Sequence, residues 1–159
     1  HQGLRRVQLL KRAVLIACVL AFPAVAMAHM GATGIVKERM DHMKSIKDSM
    51  KVLGPIFKGT VTYDAEVVRA EARALAAKGG RAMTDLFPEG SIEGPSEALP
   101  EIWQDWDRFA ASARELEESA ALLAQTAANP RDGSETDPIR AFSRVVGTCR
   151  DCHEDFRKD

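Results

Sequence analysis

Five residues near the carboxyl end carry the chemistry: Cys149-Arg150-Asp151-Cys152-His153. Two thiols three positions apart on a helix face the same side. Each can add to a vinyl group of a porphyrin, and the adjoining imidazole then lies where a ring nitrogen can ligate iron. Three rival chemistries fit less well. A structural zinc site normally takes four protein ligands, and the chain has no second Cys pair. A thioredoxin-like redox pair belongs to a βαβ context and usually sits at a helix start, whereas this pair falls deep in a predicted helix. A structural disulfide would leave the following His unexplained. We therefore expect one covalently attached haem c on Cys149 and Cys152, with His153 as an iron ligand. Cys18, the third cysteine, reads as a small apolar residue of the leader.

A second axial ligand would separate a plain electron carrier from an open site that binds a gas. Candidates are His29, His42, Met40, Met43 and Met50. Met40, Met43 and Met50 can all face one side of a helix, so spacing does not choose among them.

These residues need elements to hold them. The composition, 45% apolar and 28% charged with only 6% aromatic, suits helices better than a β-sandwich. From Ile35 to Phe57, Val36, Met40, Met43, Ile46, Met50 and Leu53 recur at helical spacing, with a weak point at Gly54-Pro55. Asp64 caps a second helix from about Ala65 to Leu86, and Tyr63 and Val68 could form its hydrophobic staple. Gly79-Gly80 should kink or break that helix. Residues 88–96 read as a crossover loop. Pro100 opens a third helix through Ile102, Trp103, Trp106, Phe109 and Leu116 to Asn129-Pro130. Asp137-Pro138 opens a fourth that runs to about Lys158 and carries the haem motif. Residues 35–159 should form an all-α antiparallel four-helix bundle.

The first 34 residues read differently. Arg5, Arg6, Lys11 and Arg12, the apolar run Ala13 to Phe22 and the small-residue end Ala26-Met27-Ala28 form the pattern of a secretory signal. Apolar character continues to Val36, and the 24 residues from Ala13 would make a helix of about 36 Å, long enough to span a bilayer. We expect export to the periplasmic side of a bacterial inner membrane, with this segment retained as a transmembrane anchor or cleaved near Ala28. Apart from those four bases, 18 bases face 23 acids, which gives no footprint for nucleic acid.

Beyond the haem motif the chain resembles the class II c-type cytochromes, meaning cytochrome c prime and its low-spin, Met-ligated relatives of the c-556 type. The likeness covers about Ile35 to Arg157. It rests on Cys149 to Arg157 as Cys-x-x-Cys-His-x-x-Phe-Arg, on Met43-Lys44 and Met50-Lys51-Val52-Leu53-Gly54, on Lys58-Gly59 and Tyr63-Asp64, and on Ile102-Trp103. The resemblance implies a single-domain antiparallel bundle, exported and often dimeric through its first two helices. It puts Met43 at the distal position facing the iron, which favours the six-coordinate, low-spin branch. It also puts Arg39 near the haem edge, Phe156 against the ring and Arg157 on the proximal side. The chemistry expected is one-electron transfer with redox protein partners, such as a photosynthetic reaction centre or a bc-type complex, and no enzymatic activity. The alternative is a five-coordinate protein that binds nitric oxide or carbon monoxide.

Overall fold

The computed structural model describes residues 31–158. Six helices appear in order: α1 (Gly34–Phe57), α2 (Ala65–Ala76), α3 (Gly80–Thr84), α4 (Glu101–Gln104), α5 (Trp106–Thr126) and α6 (Pro138–Phe156). The pairs α2/α3 and α4/α5 are interrupted single rods, so the architecture is the expected antiparallel four-helix bundle. Among the described residues the only strand-like feature is an isolated antiparallel bridge between Ala98 and Arg157.

Local chemistry sets the ends. The Asp64 carboxylate accepts the backbone N–H groups of Glu66 and Val67, and buried Asp137 accepts those of Ile139 and Gly133, with Pro138 behind it. Tyr63 packs against the core that includes Val68, and its hydroxyl donates to the Ala127 carbonyl at 2.7 Å. Gly54-Pro55 does not break α1, which continues to Phe57. Proline removes only the N–H that would have bonded the carbonyl of exposed Lys51.

The Gly79-Gly80 break is real and has two causes. Gly80 takes a φ of +51°, open to glycine at no steric cost. A Cβ on Gly79 would stand 2.5 Å from the Glu117 backbone nitrogen, so only glycine lets the chain approach α5 so closely. The third rod was expected to be continuous and is instead divided at Asp105, with φ −129° and ψ 57°. Trp103 fixes the short piece to the crossover loop by donating its indole N–H to the Phe87 carbonyl.

Leu53, Val68, Leu75, Ile102, Leu123 and Val145 are almost wholly buried at the centre, each contributing about 1.5–3 kcal/mol of burial. α5 is the hub, packing against α2, α3, α4 and α6, while α1 leans chiefly on α2. α1 and α6 are not a closely packed pair. They meet at one end, where the rings of Phe57 and Phe142 stack 4.2 Å apart.

Residues 31–33 are not helical, and α1 starts at Gly34 with a φ of +56°. Because Thr33 is extended before α1 begins, a helix drawn from Ala13 would not run unbroken through residues 31–33 to Val36. No helix among the described residues is long and apolar enough to cross a membrane. Of the leader or anchor expected over residues 1–34, residues 1–30, with Cys18 and His29 among them, lie outside the described residues.

Candidate haem site

Cys149, Cys152 and His153 sit in the last turns of α6. Both thiols are free and half-buried, packed against the main core. Burial pushes the Cys149 thiol up, and burial, then Cys149 and then Asp155, pushes Cys152 up to about 11. Thiols raised in this way by burial are not activated nucleophiles, whose thiolate must be stabilised by its surroundings. Among the described residues no group of three or more His, Cys, Asp or Glu is placed to hold a metal ion.

His153 is exposed. Desolvation of the ring, then the nearby Arg157 charge, lowers its pKa, and Glu97 opposes this weakly. The outcome favours the neutral imidazole, the form whose nitrogen lone pair can ligate iron.

The surface beside these residues fits a large apolar ring. Val146, seven residues before His153 and therefore on the same stripe of α6, is 44% exposed. A side chain at Gly147 would meet open space. Phe142 and the two thiols lie along the same flank, partly buried on the core. This partly uncovered apolar flank lies on a helix that makes few contacts with α1, so the residues present fit a covalently held haem.

On α1 the candidate second ligands separate. His42 is engaged elsewhere, its Nε2 lying 2.9 Å from the Lys78 carbonyl beyond the end of α2. Met40 is 47% exposed. Met43 and Met50 are half-buried against the same core as Cys149 and Cys152. Measured from the Phe57–Phe142 contact at 1.5 Å per residue, His153 stands about 16 Å along its helix, between Met50 at about 10 Å and Met43 at about 21 Å.

The three remaining predicted residues take distinct places. Phe156, 4% exposed, packs edge-on against Phe109 with centroids 5.4 Å apart. Arg157 leaves the helix in extended conformation, its guanidinium 3.9 Å from the Glu97 carboxylate and close enough to His153 to act on its charge. Arg39 is 5% exposed and turned to the crossover loop. It donates Nε to the Leu86 carbonyl, Nη1 to Ser96 Oγ at 3.1 Å, and Nη2 to the carbonyl and hydroxyl of Ser91. Its guanidinium also stacks 4.1 Å over the Phe87 ring. Sequence reasoning missed Phe87, Ser91 and Ser96 as its partners, which no local pattern marks. It also missed Val146, which its seven-residue offset from His153 could have revealed.

Comparison with known proteins agrees with this geometry. The sequence profile described as Cytochrome C' matches residues 34–157. The chain is 33% identical over 144 residues to cytochrome c-554 of Cereibacter sphaeroides, covering 88% of this chain and 91% of that one. It is 35% identical over 124 residues to cytochrome c-556 of Agrobacterium tumefaciens, covering 78% and 97%. Among solved structures, cytochrome c prime from Shewanella frigidimarina superposes with a TM-score of 0.69 at 28% identity, covering 79% of this chain and 94% of that one. With a C-x-x-C-H motif on the last helix of a four-helix bundle and a matched span running from the start of α1 to Arg157, this chain belongs to the cytochrome c' family of class II c-type cytochromes and carries a covalent haem c.

Proposed function

We propose that this protein is an exported one-electron carrier, not an enzyme, whose iron is held between His153 and Met43. The observation that carries the reading is that Met43 and Met50 alone among the candidates on α1 are half-buried against the core that also receives Cys149 and Cys152, while His42 is occupied by the Lys78 carbonyl and Met40 faces solvent. Of the two, the family resemblance puts Met43 at the distal position. Bound haem would supply the ferric/ferrous couple. Cys149 and Cys152 fix it covalently, His153 offers a neutral imidazole, and the Met43 thioether stabilises the ferrous form and raises the potential. Keeping both ligands through the cycle limits reorganisation. The partners are then redox proteins on the periplasmic side of the inner membrane, such as a reaction centre or a bc-type complex. Fractionation would show whether residues 1–30 tether the protein there or a soluble form, as monomer or homodimer, does the carrying.

The test is spectroscopic. The reduced protein should show a low-spin, six-coordinate spectrum and bind carbon monoxide poorly. Met43→Ala should turn it high-spin and admit carbon monoxide. An unchanged low-spin spectrum in that variant would remove Met43 from the site. A second reading, an open iron that binds nitric oxide or carbon monoxide, draws support from the likeness to a cytochrome c prime structure. Prompt, tight carbon monoxide binding by the reduced wild-type protein would favour it.

A further inference from the structure

The helices that carry the two sides of the site, α1 and α6, scarcely touch each other. At one end the stacked rings of Phe57 and Phe142 set their separation. Something must set it at the other end, where Met43 and His153 lie. The crossover loop supplies that link. Ser96, 6% exposed, accepts the Arg39 guanidinium from α1 and, through the same oxygen, the backbone N–H of Ala98 at 3.2 Å.

From there residues 96–99 run antiparallel to the end of the haem helix. Leu99 donates its N–H to the Phe156 carbonyl at 3.0 Å, and Lys158 donates its own to the Glu97 carbonyl at 2.8 Å. Ala98 and Arg157 are bridged, and Lys158 Nζ reaches the Ser96 carbonyl at 3.1 Å. A parallel route runs through rings: Arg39 over Phe87, Phe87 edge-on to Phe109 at 4.7 Å, and Phe109 edge-on to Phe156. Both routes begin four residues before Met43. Both end within five residues of His153.

We infer that Ser96 is a positioning residue: with Arg39 it forms a strut that sets how far the Met43 helix stands from the His153 helix, and so how firmly the distal ligand is held. This deepens the reading of Met43 as that ligand and rests on it. Ser96 touches neither the iron nor its ligands. It acts because an interior hydrogen bond to a charged group has one best length, so loss of the hydroxyl releases residues 96–99 from Arg39 while Arg39 keeps its three other acceptors earlier on the loop.

The experiment compares haem-loaded wild type, Ser96→Ala and Ser96→Thr by optical spectrum, reduction potential, carbon monoxide affinity of the reduced form and amide exchange. In Ser96→Ala the amides of Leu99 and Lys158 should exchange about five-fold faster, as expected for one lost hydrogen bond. Carbon monoxide should bind about five-fold tighter because Met43 yields more readily, and the potential should fall. Ser96→Thr, which keeps the hydroxyl, should return all three towards wild type. Faster exchange with affinity and potential unchanged overturns the strut and leaves a purely structural loop contact, and changes that Ser96→Thr does not reverse also overturn it. A five-coordinate spectrum of the reduced wild type overturns the Met43 reading instead. In that event the potential alone judges the strut: a shift in Ser96→Ala reversed in Ser96→Thr upholds it, and no shift overturns it.

Discussion

The proximal and distal sides of the site are built by opposite means. On the proximal side five consecutive residues of α6 present two thiols and an imidazole, and the helix alone places them. On the side we propose to be distal nothing is local. Met43 is held by α1, and α1 is joined near its start, through Arg39, to Leu86, Ser91 and Ser96 on a loop about fifty residues away. A site made of neighbours in sequence resists change elsewhere in the bundle, whereas one made of distant segments inherits every adjustment of the loops that join them.

The largest expected effect tests the proximal half. Replacing Cys149 and Cys152 together by Ala should abolish covalent attachment, so that haem no longer travels with the polypeptide on a denaturing gel. Retained haem staining would mean that attachment does not depend on this local pair. Next in size is Arg39→Ala. It should cost about 2–3 kcal/mol in chemical denaturation, since a buried charged donor is lost and four loop acceptors lose their partner. Haem should nevertheless stay covalently attached. If attachment also fails, the proximal half is not as self-contained as its sequence suggests. The smallest is Asp64→Ala, which removes the cap of α2. It should cost about 1 kcal/mol and leave the visible spectrum alone, because α2 belongs to neither half of the site.

Much of this is legible in the sequence. The haem motif, the caps at Asp64 and Asp137 and the Gly79-Gly80 break all rest on local rules of helix geometry, capping and glycine conformation, and the structure keeps them. The division of the third rod at Asp105 is not legible in the sequence, and neither is the hydrogen bond by which Trp103 of the short piece holds a carbonyl of a separate loop. Arg39 was noticed only through resemblance. Nothing in its neighbours along α1 announces that its guanidinium is turned to two serines and an aromatic ring of the crossover loop.

The sequence by itself determined that a haem would be bound, where, and on what kind of element, because i,i+3 thiols and an adjoining imidazole need only a helix to become a site. Only the tertiary structure decided which side of α1 each candidate ligand takes, with His42 drawn to Lys78 and Met43 set on the core. It also decided what spans the gap between α1 and α6. Those outcomes depend on which surfaces pack together and which buried donors find acceptors, and both are properties of the assembled bundle, not of any segment read alone.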